Sequence, residues 1–156
     1  MMLAISNYSQ CNDTLFIIFD DYYPEMKKID FTHLKQAGSP DEKLKRSITY
    51  EIDQLEKEDG YTYQYNFTHA NSSKKEYQKF ATTPPCMMKK TKSFLKNKKV
   101  LDINFFKTTS NRKSSELFQR SNSPNKTLLI FIIDVEEEKN DTLILREVQY
   151  SSPVKE

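Results

Sequence analysis

The residues that could carry out chemistry are few and far apart in the chain. Two adjacent carboxylates, Asp20 and Asp21, follow an apolar run, and the two histidines are His33 and His69. Adjacent carboxylates at a strand end can hold Mg²⁺ or raise each other's pKa, and a histidine can act as a base. Neighbouring side chains of a strand point to opposite faces, however, so an Asp-Asp pair more often marks a turn. These four residues are therefore weak catalytic candidates, and the sequence favours a protein that is not an enzyme.

The counts of glycine and cysteine exclude several common kinds of site. Gly38 and Gly60 are the only glycines, whereas dinucleotide-binding turns and phosphate-binding loops need glycines clustered together. The two cysteines, Cys11 and Cys86, form no C-x-x-C pair, so neither a metal site nor a cofactor is predicted. In an oxidising compartment Cys11 and Cys86 are a candidate disulfide, worth about 4 kcal/mol through loop closure. In the cytosol they would be two unrelated thiols.

A lysine-rich middle segment is the main candidate for contact with a partner. Residues 74–113 hold twelve basic residues against two acidic ones, although the net charge of the chain is only +2. Clustered lysines attract polyanions such as nucleic acid or an anionic surface. The segment has a single arginine, Arg112, so we expect a solvated face, with weak and salt-sensitive polyanion binding as the functional alternative. The lysines predicted to be exposed are Lys89, Lys90, Lys92, Lys96, Lys98 and Lys99.

The same segment is predicted to contain short helices. The elements expected in and after it are Lys74–Phe80, Lys90–Lys98, Leu101–Phe106 and Ser114–Gln119. On a helix over 90–98, Lys92, Lys96 and Lys99 share one face, because they are spaced at i, i+4 and i+7.

Strands are predicted where apolar residues dominate, or alternate with polar ones. A run that is apolar on both faces is typical of a covered strand, and strict alternation is typical of a half-buried one. Two alternating runs around a loop that ends in Gly60 predict an antiparallel hairpin, and the last two strands predict another. Residues 30–34 are expected to be a short helix or a loop. The predicted strands are Thr14–Phe19, Ile48–Asp53, Tyr61–Phe67, Leu128–Asp134 and Leu143–Tyr150.

An aromatic ladder in the third predicted strand has two interpretations. Tyr61, Tyr63, Tyr65 and Phe67 alternate with polar residues. If exposed, they would form a stacking platform for sugars or bases, each base stack being worth about 1–3 kcal/mol. If buried, they are the core face of a strand, which is the interpretation that the polar neighbours favour.

These patterns together predict an α+β fold with a mainly antiparallel sheet of about five strands, and short helices in the basic middle segment. The length of 156 residues fits one domain. We expect a single α+β domain over residues 12–156, preceded by a signal-like or frayed segment over residues 1–11. No apolar run reaches the roughly 18 residues that a transmembrane helix needs.

Two parts of the chain resemble exported proteins. The tract from Met1 to Gln10 is apolar and then small and polar, and it resembles the end of a flavobacterial-type export signal. Phe94–Asp102 and the predicted C-terminal hairpin resemble parts of small uncharacterised exported proteins of flavobacterial type. The resemblance implies a periplasmic or extracellular location, the alternative being the cytoplasm, and it implies no activity.

The sequence therefore predicts a non-catalytic exported module with a binding or structural role. Two alternatives stay open at this point. One is a hydrolase or phosphotransfer enzyme that uses the strand-end pair Asp20 and Asp21 with a histidine. The other is a weak binder of polyanions that uses the lysine-rich middle segment.

Overall fold

The computed structural model describes residues 13–34, 44–56, 59–71, 86–122 and 127–155. The predicted N-terminal segment, Cys11 and the predicted helix Lys74–Phe80 lie outside the described residues. None of the described helices is long and apolar enough to cross a membrane.

Within the described residues the chain forms eight strands and two α-helices. The strands are β1 (Asp13–Phe19), β2 (Met26–Leu34), β3 (Leu44–Leu55), β4 (Thr62–Asn71), β5 (Met87–Thr91), β6 (Val100–Leu101), β7 (Leu128–Asp134) and β8 (Thr142–Lys155). The helices are α1 (Ile103–Thr108) and α2 (Asn111–Gln119), and 3₁₀ turns lie at Lys92–Leu95 and Val135–Glu137.

The strands form one mixed sheet in the order β2-β3-β4-β8-β7-β1-β6, with β5 also paired to β8. Among the described strands, β1 runs parallel to β7 and β6, and the other pairs are antiparallel. Both predicted hairpins, β3–β4 and β7–β8, are confirmed. The prediction of a mainly antiparallel α+β fold is confirmed in outline, and the described sheet has eight strands where about five were expected.

Strand β8 joins the two halves of the sheet. Its first part, Thr142–Arg146, pairs with β5, and its last part, from Gln149 to Lys155, pairs with β4 on the same side. On its other side β8 pairs with β7. The sheet therefore divides into a β2-β3-β4 half and a β7-β1-β6 half, with β8 between them.

The core lies on both faces of β1 and β7, as their uninterrupted apolar sequences predict. On one face, Leu15, Ile17 and Phe19 of β1 pack with residues of β3, β4 and the two α-helices. On the other face, Phe16 of β1 packs with Phe131 and further apolar residues of β7 and β8. The second face is covered by β5 and by the residues that follow it.

The aromatic ladder is part of the core at its C-terminal end. Tyr65 and Phe67 are fully buried, whereas Tyr61 is 44% exposed. The buried Tyr65 hydroxyl donates a hydrogen bond to Gln54 Oε1, and Gln54 Nε2 donates to the Phe106 carbonyl of α1 at 3.0 Å. This end of the ladder therefore attaches the β3–β4 hairpin to the helices and offers no open stacking platform.

Two local predictions are wrong. Residues 30–34, expected as a helix or loop, belong to β2, because pairing with β3 gives their backbone a partner that the sequence pattern does not show. Lys90–Lys98, expected as a helix, is the end of β5, a 3₁₀ turn and a tight turn at Asn97, whose φ is 67°. The main-chain bonds of β5 with β8 fix Lys90 and Thr91 in an extended conformation.

Candidate functional site

The carboxyl ends of the parallel strands β1 and β7 bring several charged residues together. Phe19 is in register with Asp134, so the Asp20-Asp21 pair follows β1 at the level where β7 ends. The Asp134 carboxylate is 2% exposed and accepts a hydrogen bond from Lys28 Nζ of β2 at 2.7 Å. Lys28 Nζ also donates to Glu136 at 2.8 Å. The partner of the buried carboxylate is therefore a lysine from the opposite half of the sheet.

The two predicted carboxylates have different environments at this strand end. Asp20 Oδ1 accepts a hydrogen bond from the Tyr22 amide at 3.0 Å, which closes a turn. The pKa of Asp21 is raised by loss of surrounding water and then by the hydrogen bond and negative charge of Glu136. Lys28 has the opposite effect on Glu136, and lowers the pKa of that carboxyl. Asp20 thus acts mainly as a turn residue, while Asp21 joins the group around Lys28.

A second ion pair lies beside this group. Arg146 of β8 is in register with Ile132 and is 7% exposed, and its guanidinium binds Glu137 with Nε at 2.9 Å and with Nη2 at 2.6 Å. A fork-like pair of this kind holds an arginine in a fixed orientation. We call the group formed by Asp21, Lys28, Asp134, Glu136, Glu137 and Arg146 the strand-end cluster.

Tyr50 of β3 extends towards the strand-end cluster. It pairs with Lys28 across the β2–β3 ladder, is fully buried, and its ring lies 4.9 Å from that of Phe19. Its hydroxyl has no hydrogen-bond partner among the described residues. Burial raises the pKa of Tyr50, and the charges of Glu137 and Asp134 raise it further. The phenol therefore stays protonated inside a group of charges that bind one another.

No hydrogen bond among the described residues joins either histidine to Asp20 or Asp21. His69 lies on β4, in register with Ile48, and is 5% exposed. Its Nδ1 lies 2.7 Å from the Glu147 carbonyl, so Nδ1 donates a proton there, and burial lowers the pKa of the imidazole. His33 lies on β2 opposite Lys45, five residues and about 17 Å along the strand from Lys28. His69 is accounted for as a core residue.

Sequence reasoning missed most of the strand-end cluster. Lys28 and Asp134 are 106 residues apart in the chain, and β2 was not predicted, so no sequence spacing connects them. The available signal was Asp134 itself, a carboxylate that ends a strand apolar on both faces. Among the described residues, no group of three or more His, Cys, Asp or Glu side chains is placed to hold a metal ion.

A cavity of about 550 Å³ lies on the opposite face of the sheet, towards the amino ends of β1 and β7. Its floor is Phe16 and Phe131, whose rings stack with centroids 5.7 Å apart. Its wall is Phe94, which meets Phe16 edge-on at 5.7 Å. Lys98 and Lys99 stand at its rim. We call this site, formed by Phe16, Phe94, Phe131, Lys98 and Lys99, the lysine–phenylalanine cavity.

A tight turn brings the lysines to the cavity. Asn97 adopts a left-handed conformation, which asparagine tolerates better than most residues. The amides of Lys96 and Lys98 donate to the carbonyls of Ser93 and Leu95, and the Phe16 amide donates to the Lys99 carbonyl at 3.0 Å. The turn is thereby attached to β1, which places Lys98 and Lys99 directly beside the phenylalanine floor.

The predicted polyanion-binding lysines do not form one stripe. Lys98 Nζ lies 5.0 Å and Lys90 Nζ 5.2 Å from the centroid of the Phe94 ring. Lys92 forms an ion pair with Glu138, and Lys89 is on the face of β5 opposite to Lys90. The single helical face expected for Lys92, Lys96 and Lys99 does not exist, because this segment is not a helix. Of the six lysines, Lys89, Lys92, Lys96, Lys98 and Lys99 are exposed and Lys90 is half-buried.

A second cavity, of about 440 Å³, lies between the β3–β4 hairpin and α2, and its polar groups bind each other. The Asn111 amide donates to Glu56 at 2.7 Å, and the Tyr63 hydroxyl donates to Asp59 at 2.9 Å. The first bond attaches the helix to the hairpin, and the second lies within the hairpin.

Of the two cysteines of the candidate disulfide, one lies among the described residues. Cys86 is an exposed free thiol, and Cys11 lies outside the described residues. The disulfide between them stays a prediction.

Comparison of the chain with protein-family models, with curated proteins and with solved structures finds no match.

Proposed function

We propose that the protein is a non-catalytic binding module that holds an anionic ligand in the lysine–phenylalanine cavity. The observation that carries the proposal is the position of Lys98, whose ammonium lies over the Phe94 ring at the rim of an open cavity lined by both polar and apolar residues. A cation on an aromatic face keeps its positive charge, because the ring attracts it without neutralising it. An anion at the rim would therefore find a positive field beside the half-buried ring of Phe94.

The strand-end cluster supports a structural role by contrast. Lys28 and Arg146, its two cations, are bound to carboxylates at 2.8 Å or less. Charges that satisfy each other leave little attraction for a substrate, and a catalytic base would have to come from elsewhere. The enzyme hypothesis stays a prediction without geometric support from the described residues.

A fluorescence titration with 8-anilinonaphthalene-1-sulfonate, an apolar anion, tests the binding proposal. The double variant K98Q/K99Q should bind this probe about tenfold more weakly, since two exposed charge contacts of about 0.5–1 kcal/mol each are removed. The matched control is K89Q/K96Q, which removes the same charge from exposed positions outside the cavity lining. Equal affinity of the two double variants would contradict the proposal.

Binding of a long polyanion is the second candidate function, because five lysines between 89 and 99 are exposed. A single-stranded oligonucleotide, titrated over a salt series, distinguishes it from binding in the cavity. If the ligand is a polyanion that follows the whole surface, K89Q/K96Q should weaken binding as much as K98Q/K99Q and should reduce the salt dependence equally. If the cavity is the site, K89Q/K96Q should behave as the wild type does.

Export is a separate proposal that rests on the resemblance of the N-terminal tract. N-terminal sequencing of the protein from fractionated cells tests it. A chain in the exported fraction that starts after Gln10 would support export, and a cytosolic chain that starts at Met1 would contradict it.

A further inference from the structure

The lysine–phenylalanine cavity has room for a small molecule and not for a folded partner. Its volume of about 550 Å³ is within the range of ligand pockets, about 300–1,000 Å³. Phe16 of β1 and Phe131 of β7 line its floor but are only 3% and 5% exposed, so the half-buried Phe94 offers the larger aromatic surface to a ligand.

The charges around the cavity suit one acidic group. Lys98 and Lys99 line the rim, and Lys90 adds a third ammonium on the Phe94 ring. Lys92 is paired with Glu138, and Asp13 at the cavity edge is paired with Arg120 at 3.0 Å. A second anionic group further along the ligand would meet charges that already have partners, so a compact anion fits better than a long polyanion.

The walls distinguish between kinds of apolar body. Phe16 contacts Phe94 edge-on, with an interplanar angle of 88°, and stacks on Phe131 at 22°. Aromatic pairs favour these two geometries beyond the area that they bury, so a ring placed against the half-buried Phe94 gains contacts that an alkyl chain cannot make. The ammonium of Lys98 adds attraction to the face of a ring. The phenylalanine ring and the lysine ammonium therefore both favour a flat aromatic ligand.

From these observations we infer that the ligand is a compact aromatic anion, with one or two rings and a single carboxylate or phosphate. The inference rests on the proposed binding function and adds the chemical class of the ligand. The acidic group lies between Lys98 and Lys99, and the ring lies against the half-buried Phe94.

Competition against 8-anilinonaphthalene-1-sulfonate with four probes tests the inference. The probes are phenyl phosphate, phenylacetate, hexyl phosphate and inorganic phosphate. Phenyl phosphate should compete about five- to tenfold better than hexyl phosphate, although the hexyl chain is no less apolar. Inorganic phosphate should compete least. The ratio of the inhibition constants of phenyl phosphate and phenylacetate then shows whether the site prefers a phosphate or a carboxylate.

The variant F94L tests whether the ring contact is the cause. It keeps an apolar side chain and should reduce the preference for phenyl phosphate over hexyl phosphate to about twofold or less. The matched control is F105L, in which the same change is made on α1, against the opposite face of the sheet, where Phe105 is half-buried. F105L should keep the preference. Circular dichroism and thermal unfolding of both variants report whether the fold is kept.

The outcomes separate the two proposals. Equal or better competition by hexyl phosphate overturns the aromatic class while leaving an anion site in the cavity. Failure of both aromatic probes, with the fluorescent probe still bound in a way that K98Q/K99Q weakens, also overturns the inference alone. Loss of the difference between K98Q/K99Q and K89Q/K96Q overturns the proposed function itself.

Discussion

The strand-end cluster and the lysine–phenylalanine cavity are built on the same two strands, β1 and β7, at opposite ends. In the cluster each described cation faces carboxylates, as Lys28 faces Asp134. In the cavity Lys98 faces a ring, and no salt bridge joins it to a carboxylate among the described residues. Ligands of open α/β sheets usually bind at the carboxyl ends of parallel strands. Here the carboxyl ends hold the two halves of the sheet together, and the open site lies towards the amino ends.

Removal of the buried charge at Asp134 should give the largest effect. D134N removes the buried carboxylate that lies closest to the Lys28 ammonium, which keeps Glu136 as a partner at 2.8 Å, and should lower the free energy of unfolding by about 2 kcal/mol. Urea unfolding measures the change. D141N, in the exposed β7–β8 turn, is the matched control and should change stability little. A stability of D134N within about 0.5 kcal/mol of the wild type would show that the cluster does not hold the sheet together.

Two buried tyrosines should respond in opposite directions to the loss of a hydroxyl. Y65F removes a donor to Gln54 and an acceptor for Asn111, and should cost about 1–2 kcal/mol. Y50F removes a buried hydroxyl that has no described partner, and should raise stability by up to about 1 kcal/mol. The same urea experiment compares them. A Y50F variant less stable than the wild type would mean that the Tyr50 hydroxyl binds a group within the strand-end cluster.

The buried histidine should make stability depend on pH. The pKa of His69 is lowered in the folded state, chiefly by burial, with Arg146 lowering it further and Glu137 and Glu147 opposing. The unfolded chain then binds more protons, so stability is present above the ordinary pKa of about 6.5 and falls as the pH drops below it. H69N keeps a donor for the Glu147 carbonyl and cannot be protonated. Its melting temperature should fall less between pH 7.5 and 5 than that of the wild type, with H33N as the control.

The smallest effect is expected for an ion pair at the surface. Lys92 is paired with Glu138, which raises the pKa of the lysine, but the Lys92 side chain is 52% exposed. Exposed pairs of this kind are screened by salt and contribute little. K92Q should therefore leave the urea midpoint unchanged. A loss of stability comparable with that of D134N would contradict the difference that we expect between exposed and buried ion pairs.

The strands that were predicted correctly have a clear apolar or alternating pattern in their local sequence. Leu128–Asp134 is apolar at every position before its last, and the hairpin strands alternate over a long stretch. Strand β2 was missed because Lys27, Lys28 and Asp30 interrupt its apolar pattern, and its place at the edge of the sheet tolerates them. Strand β5 was missed because Lys89 and Lys90 gave it the composition of a solvated helix.

The sites were less predictable than the fold. Lys98 and Lys99 were expected to be exposed, and they are, but their position beside Phe16 depends on pairing of β6 with β1, which are more than eighty residues apart. The cluster around Asp134 joins β2 to β7 and has no local pattern at all. Sequence patterns show which side chains are buried, whereas the meeting of distant side chains depends on the topology of the sheet.

The position of β8 sets the order in which the sheet can be completed during synthesis. β8 follows every other described strand in the chain, yet it lies between β4 and β7, so the centre of the sheet is filled last. At 5–20 residues per second, roughly ten seconds separate the emergence of β1 from that of β8. Until β8 is added, the β2-β3-β4 half has an open edge at β4 and the β7-β1-β6 half has an open edge at β7. A nascent chain stalled before Thr142 should therefore be sensitive to protease and prone to aggregate, and it should become resistant once Lys155 has left the ribosome.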